Sequence, residues 1–393
     1  MKREAVIVDG ARLPSARGGP NGALSPVPPE DFGGYLLEKL VERSRIPKEE
    51  IDDVILGNVM GVYLCFARLC LLRAKLPVQI PGVTLDRNCA SGLQAIAFAS
   101  QAIRAGESEL ILAGGAESMT RQPWSLEKPA TGFPREPLAP RILSRTTAPP
   151  EFGGHNMGET AENVAERYQI SRKEQDEWAV ESHLRASRAW EEGKFAEEVI
   201  PFPVPNRKGA PILFSRDETI RVSGLEELSR LPAIFRKNGT VTAASSSPLT
   251  DGAAAVVVMS REKADSLGLK PIVRVVACAS AGVEPAYMGL GPVPATRKAL
   301  KMAGLNLEDI DLVEINEAFA AQVIACCREL GLNREKVNVN GSGIPLGHAI
   351  AATGARITTT LMYEMRRRGA RYGLATMCVG GGQGSAIIYE RIR

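Results

Sequence analysis

The chain has 393 residues, 44% of them hydrophobic and 24% charged, with a formal net charge of +3. That length predicts two or three domains of an ordinary globular protein, and a charge so close to zero argues against a nucleic-acid partner and requires any anionic ligand to be met by local cations. Seven cysteines, an odd number without a CxxC pair, argue against a disulfide framework and for a reducing compartment.

The first apolar run, residues 5–8, is too short for a signal peptide, and no stretch approaches a membrane span. Arg391-Ile392-Arg393 is no peroxisomal address, so a cytoplasmic protein is expected. Ile46-Pro47-Lys48-Glu49-Glu50-Ile51-Asp52-Asp53-Val54 reads as a helix end, an acidic turn and a strand. Cys89 lies in Leu85-Asp86-Arg87-Asn88-Cys89-Ala90-Ser91-Gly92-Leu93, where an extended segment turns into a helix predicted over 90–104; a strand is predicted over 110–115. Pro123, Pro129, Pro134, Pro137, Pro140, Pro149 and Pro150 then break the chain into loop. Helices are expected over 158–168 and 172–192, with Ser171 as N-cap of the second. Residues 201–237 are irregular and carry Arg207, Lys208, Arg216, Arg221, Arg230, Arg236 and Lys237. Two readings stand: a solvated surface loop, or a cover for a phosphorylated ligand.

Farther on, Leu305-Asn306-Leu307-Glu308-Asp309-Ile310-Asp311-Leu312-Val313 repeats the pattern of residues 46–54, displaced by 259 positions (46 to 305). The same displacement carries Cys89 onto His348, predicted to open a helix over 349–367, and a strand over 373–379 ends before Gly380. Two copies of one α/β unit follow, with approximate two-fold symmetry and helix N-termini facing a shared centre. The expected division is a first half over 1–118, an inserted loop domain over 119–250, a return strand and linker over 251–270, and a second half over 271–393.

Three residues can carry chemistry. Cys89 has small neighbours and helical N–H groups ahead of it, a setting that stabilises a thiolate. His348, after Gly341-Ser342-Gly343-Ile344-Pro345-Leu346-Gly347, suits a base that reaches a thiol. Cys378 precedes Gly380-Gly381-Gly382, where freed N–H groups could meet an oxyanion. Together they point to acyl transfer through a thioester. Of the other two histidines, His183 falls in a charged helix and is expected at the surface; His155 lies in a loop, either lining a ligand or facing solvent. Cys65, Cys70, Cys278, Cys326 and Cys327 are left to the core. There is no GxxxxGK, no GxGxxG after a first strand and no metal-ligand spacing.

Eight segments in order carry a resemblance: Asn88-Cys89-Ala90-Ser91-Gly92-Leu93-Gln94-Ala95, Gly114-Gly115-Ala116-Glu117-Ser118-Met119, Met157-Gly158-Glu159-Thr160-Ala161-Glu162-Asn163-Val164, Thr240-Val241-Thr242-Ala243 with Asp251-Gly252-Ala253-Ala254, Asn316-Glu317-Ala318-Phe319-Ala320, Gly347-His348, and Cys378-Val379-Gly380-Gly381-Gly382. Over nearly its whole length the chain resembles the thiolases. The resemblance implies an α/β fold of two duplicated halves in five layers, αβαβα, with an inserted loop domain. It further implies a homodimer or homotetramer and coenzyme A bound as a substrate under the loop domain, with no other cofactor and no metal. By similarity, Cys89 is the nucleophile, His348 its base, and Cys378 the proton shuttle to the α-carbon. Asn316 holds a water that helps to stabilise the enolate, and the N–H groups of Cys89 and Gly380 bind the thioester oxygen. Ser247 and Arg221 match positions that contact coenzyme A; Met157, Met288 and Phe319 match the pantetheine and acyl channel.

Two departures stand out. Ala349-Ile350-Ala351 replaces the usual proline, aliphatic residue and glycine after the histidine, and Leu64-Cys65-Phe66 replaces a stretch that is often polar, near the expected subunit interface. The second departure inclines the reading toward a degradative 3-ketoacyl-CoA enzyme rather than a biosynthetic acetoacetyl-CoA enzyme. A ketoacyl synthase would place a histidine at Asn316. A thiolase-like lipid-binding protein without catalysis is the alternative from another class.

Overall fold

A computed structural model describes residues 3–126, 128, 140–142, 147–153, 156–206 and 208–392. His155, Arg207 and the prolines at 129, 134 and 137 lie outside these residues. The first half contributes strands β1 (Ala5–Arg12), β2 (Asp53–Gly57), β3 (Gly82–Leu85), β4 (Leu110–Ser118) and β5 (Thr250–Ser260). The second half contributes β6 (Val273–Gly282), β7 (Leu312–Ile315), β8 (Tyr372–Val379) and β9 (Gln383–Arg391). Hydrogen bonding runs in the order β7-β8-β9-β6-β1-β5-β4-β2-β3, and the short Ala16–Arg17 strand pairs with the start of β5. Only two residue pairs, Val6 with Arg274 and Ile7 with Val273, join β1 to β6, so the ladder is two sheets hinged at one corner. Every residue of β4 and β5 is buried, as near-continuous apolar strands require when both faces are covered.

Helices supply the covers. The outer face of the first sheet carries α1 (Pro29–Ser44) and α2 (Phe66–Arg73), whose Phe32, Leu36, Leu37, Phe66 and Leu71 pack on Val54, Leu56 and Leu112. α3 (Ser91–Ala105) lies on the inner face. In the segment between β4 and β5 stand α4 (Met157–Arg167) and α5 (Arg172–Glu191), the latter opened by a capping box of Ser171 and Glu174. α6 (Pro292–Ala303) and α7 (Ala320–Leu330) cover the outer face of the second sheet, with Val293, Leu300, Val323 and Ile324 on Val313, Leu374 and Ile388. α8 (Thr353–Arg368) joins α3 in the middle: Leu93, Ile96, Ile357, Leu361 and Met362 share one core with Ile7, Val256, Val258, Ala375 and Ile387 from both sheets. The result is five alternating layers with three large cores and two smaller apolar clusters. At the crossing of α3 and α8 the backbones touch. A methyl on Gly354 would come within 2.2 Å of Leu93 N, and one on Gly92 within 2.6 Å of the Ala351 carbonyl oxygen.

The repeat is visible atom by atom. The 3₁₀ turns Lys48–Glu50 and Leu307–Asp309 are 259 positions apart. Asp52 Oδ2 accepts the N–H groups of Glu109 and Leu110 at 2.6 and 2.9 Å, and Asp311 Oδ2 accepts those of Arg371 and Tyr372 at 2.7 and 3.0 Å. Each aspartate ties its turn to the start of the equivalent strand.

One expectation fails here. His348 does not open its helix: α8 starts five residues later, at Thr353, and His348 sits extended in a bridge to Leu249, its N–H donating to Pro248 O at 3.2 Å. That bridge competes with helical geometry, so residues 349–352 form a turn instead, with Ala352 N and Thr353 N both donating to Ala349 O.

Candidate active site

The first of the sequence-predicted residues, Cys89, sits two residues before α3, after Asn88 in a left-handed conformation (φ 43°) that turns the chain from strand to helix. Its sulfur accepts hydrogen bonds from its own N–H and from that of Gly380, which favour the thiolate, yet burial outweighs them and pushes the thiol up to about 11. At neutral pH Cys89 is therefore a thiol, not the low-pKa thiolate that helix placement alone suggests. Gly380 is bound to this loop a second time, its carbonyl accepting Asn88 Nδ2 at 3.3 Å. A methyl on Gly380 would meet Thr147 Cγ2 at 3.2 Å and Met157 Sδ at 3.6 Å, so the glycine lets two walls close on the sulfur. Gly381 and Gly382 follow at φ 87° and 80°, conformations that L side chains resist.

His348 is buried, and its Nδ1 lies 2.7 Å from Thr353 Oγ1. The single hydroxyl proton of Thr353 goes to Ala349 O at 2.9 Å, so Thr353 must accept from Nδ1–H. That assignment leaves Nε2 as the basic nitrogen, and among the described residues it has no partner. Burial first, then the charge of Arg356, push the imidazole down to about 3, so it is neutral at pH 7. The 349–354 turn rests on the first turn of the Cys89 helix through Gly92 and Leu93, so the segment after His348 packs against the segment after Cys89.

Cys378, near the end of β8, is wholly buried, and its thiol is raised well above its usual range by burial and then by the charge of Cys89, so the two sulfurs share one electrostatic environment. It packs in an apolar cluster with Ala161, Val241, Met288, Ala318 and Phe319, against which Met157 and Phe235 also lie. Asn316, at the end of β7, is buried with neither amide atom hydrogen-bonded among the described residues, although its N–H reaches Thr376 O at 3.0 Å. An orphaned amide at a site of this kind fits a water or a substrate oxygen. Residues 246–248 are stitched to the same floor: Ser247 N donates to Ala318 O at 3.0 Å, and Ser246 bridges Phe319. Arg221 lies apart. Its side chain is exposed, while its N–H donates to His183 Nδ1 at 3.0 Å.

His183 is thus half-buried rather than at the surface, because the α5 face that carries buried Ser182 turns inward. Burial, then Arg221, lower its pKa to about 4. Of the cations over 201–237, Arg230 pairs with Glu226 and Arg236 with Glu166, which leaves Arg221 among those without an ion pair among the described residues. No group of His, Cys, Asp and Glu among the described residues could hold a metal ion. Sequence reasoning missed Thr353, Arg356 and Glu317. Only Glu317, one position after Asn316, carried a signal, as an acid inside an apolar stretch.

Residues 5–262 match the thiolase N-terminal domain and residues 269–391 the thiolase C-terminal domain. The acetyl-CoA acetyltransferase of Syntrophomonas wolfei is 44% identical over 400 residues, covering 100% of both chains. The 3-oxoadipyl-CoA/3-oxo-5,6-dehydrosuberyl-CoA thiolase of Escherichia coli K12 is 46% identical over 403 residues, covering 99% of this chain and 100% of its own. A crystal structure of the Bacillus anthracis acetyl-CoA acetyltransferase superposes with a TM-score of 0.95 at 43% identity, over 100% of this chain and 99% of that one. With both domain matches spanning nearly all of its length, this chain belongs to the thiolase family.

Proposed function

We propose that the protein is an acyl-CoA C-acyltransferase that cleaves 3-ketoacyl-CoA with coenzyme A, or runs the reverse Claisen condensation, through an acyl group carried on Cys89. In thiolysis the Cys89 thiol attacks the ketone carbon and His348 Nε2 takes its proton. The N–H groups of Cys89 and Gly380 hold the resulting alkoxide. The bond between the ketone carbon and the α-carbon then breaks, leaving acyl-Cys89 and the enolate of acetyl-CoA, whose oxygen meets protonated His348 and a water held by Asn316. Cys378 gives its proton to the α-carbon and acetyl-CoA departs. A second coenzyme A loses its thiol proton to Cys378 and takes the acyl group from Cys89, which regains its proton from His348. Two half-reactions through one covalent intermediate give ping-pong kinetics.

The observation that supports this reading is the convergence of the Gly380 and Cys89 N–H groups on the Cys89 sulfur, whose charge acts on buried Cys378, together with a buried His348 whose Nε2 has no partner among the described residues. Mixing the protein with acetoacetyl-CoA and mapping peptides by mass spectrometry tests it: an acetyl group on Cys89 is expected. Acetylation elsewhere, or none, defeats the reading and favours a lipid-binding protein of the same fold.

For substrate class, the walls around Cys378 are Val241, Met288 and Phe319, with Met157 and Phe235, and carry no charge. Such walls support uncharged acyl chains over acyl groups ending in a carboxylate, whose unpaired burial costs several kcal/mol. Within that class we favour the degradative direction and chains longer than four carbons. A kcat/KM series over acetoacetyl-, 3-oxohexanoyl- and 3-oxoadipyl-CoA decides the matter, and strict four-carbon preference overturns it. Ser247 and Arg221 are proposed to contact coenzyme A, under a cover formed by the described residues of the inserted segment, with Met157, Met288 and Phe319 along the channel. Exposed Val62, Leu64 and Val83, the last on sheet-edge strand β3, support a homodimer or homotetramer. Seven unpaired cysteines support a cytoplasmic setting. No helix among the described residues is long and apolar enough to cross a membrane.

A further inference from the structure

Glu317 follows Asn316 and is 0% exposed. Its Oε1 accepts from Trp178 Nε1 at 3.0 Å and Asn338 Nδ2 at 2.9 Å. Its Oε2 accepts from Ser182 Oγ at 2.7 Å and the Ile344 N–H at 3.2 Å. The Ser182 oxygen in turn receives the Ser342 N–H at 3.4 Å. Four donors and no acceptor face these two oxygens, a demand that a carboxylate meets and an amide does not. The donors come from α5, from Asn338, and from the 342–344 segment that leads to His348.

Between Ser342 and Ile344, Gly343 lies against the Asn316 amide. A methyl there would come within 2.6 Å of Asn316 Oδ1 and 2.8 Å of Glu317 O. The direct bond to Ile344 and the relay through Ser182 to Ser342 therefore fix Gly343 from both sides. Asn338 adds a third hold, since its Oδ1 accepts the Ile315 N–H at 2.8 Å and its Nδ2 donates to Ile315 O at 2.9 Å, securing the strand end before Asn316. Asn316 itself makes no side-chain hydrogen bond among the described residues, so its position is set by this surrounding frame.

We propose that Glu317 is a positioning residue for the carbon–carbon step: its carboxylate clamps residues 342–344 against Asn316 and so fixes the amide on the enolate side of the site. The inference rests on the acyl-cysteine reading above. Asn316 serves the enolate, whereas passing an acyl group between coenzyme A and Cys89 uses the N–H groups of Cys89 and Gly380. Loosening the clamp therefore slows one half of the chemistry and spares the other.

The test is Glu317→Gln in the full-length protein, with two rates compared. The first is exchange of the acetyl group between acetyl-CoA and labelled coenzyme A, and the second is thiolysis of acetoacetyl-CoA. Glutamine turns its NH2 toward N–H groups that cannot accept in either amide orientation, those of Trp178 and Asn338 or that of Ile344, so thiolysis kcat should fall at least ~30-fold, with KM changed little and exchange kept within ~3-fold. Equal loss of both rates, or unchanged thiolysis, overturns the inference. If Glu317→Gln does not fold, Ser182→Ala decides instead: it removes the relay to Ser342 and should show the same split at roughly 3- to 10-fold. A folded Ser182→Ala without the split overturns the inference as well. Absence of exchange in the unmodified protein overturns the acyl-cysteine reading beneath it, whereas exchange there without a split in the variants overturns the role of Glu317 alone.

Discussion

Replacing Thr353 by valine keeps the shape of the side chain and removes one hydroxyl, the atom that dictates which imidazole nitrogen of His348 is basic. In the native arrangement the hydroxyl donates to Ala349 O at 2.9 Å and accepts from His348 Nδ1 at 2.7 Å. Valine leaves Nδ1–H buried without an acceptor, a loss worth about 1–3 kcal/mol. The alternative tautomer, with the proton on Nε2, escapes that loss but presents an N–H to Cys89 where a lone pair is needed. Either way kcat/KM for acetoacetyl-CoA thiolysis should fall by roughly 5- to 150-fold, since 1.4 kcal/mol corresponds to a tenfold change. Thr353→Ser should restore most of it, because the hydroxyl returns. With only three histidines in the chain, the ¹⁵N shifts of His348 can be followed directly, and Nε2 should change from an unprotonated to a protonated or mixed signature. A valine variant that keeps its rate within twofold, or whose His348 shifts do not move, would refute the tautomer argument.

Cys89→Ala should abolish acetyl exchange and thiolysis together, while Cys378→Ala should spare exchange and block carbon–carbon chemistry; equal loss of exchange in both would reverse the assigned roles. With the Cys89 thiol near 11, its alkylation by iodoacetamide should accelerate about tenfold per pH unit through pH 9, and a plateau by pH 8 would contradict the burial argument. His183, lowered from 6.5 to about 4, stays neutral in the fold where the unfolded chain takes up a proton. Its contribution is complete above about pH 6.5 and shrinks by at most roughly 3 kcal/mol as pH falls toward 4. His183→Gln should therefore lose less of its Tm between pH 7 and 5 than the parent does, and identical slopes would exclude the effect. Gly354→Ala drives a methyl to within 2.2 Å of Leu93 N and should yield little folded protein; a Tm within a few degrees of the parent would show that the α3–α8 contact can give.

The layered fold was legible because its signals are local or periodic. Asp52 and Asp311 recur 259 positions apart and do the same job twice, closing a turn onto a strand. Cys89 and Cys378 stand out in the sequence through the small residues and glycines that follow them. Thr353 was hidden because its bond to His348 spans an irregular turn, and a helix beginning at 349 would have put the pair in the wrong geometry. Glu317 was hidden for a different reason: all four of its donors, from Trp178, Ser182, Asn338 and Ile344, come from points at least 21 residues away along the chain. His183 was misplaced because α5 is highly charged overall, yet Gln175, Asp176, Trp178 and Ser182 form a buried polar face that composition does not reveal.

The pKa directions at the site argue for a particular order of events. Burial raises both thiols and lowers the imidazole, so the unliganded site holds two neutral thiols and a neutral base rather than a thiolate–imidazolium pair. A preformed ion pair would be stabilised by the very desolvation-sensitive contacts that must strengthen as the reaction proceeds, and would lessen the gain on reaching the transition state. A neutral site keeps its Gly380 and Cys89 N–H groups, and the unpartnered Nε2 and Asn316 amide, available for charge that develops only once a carbonyl is under attack. Proton transfer from Cys89 should then accompany carbon–sulfur bond formation instead of preceding it. A solvent isotope effect on acetyl exchange tests this: an appreciable normal effect is expected, whereas an effect near unity, as a resting thiolate with no S–H bond to break would give, would place the proton on His348 before substrate arrives.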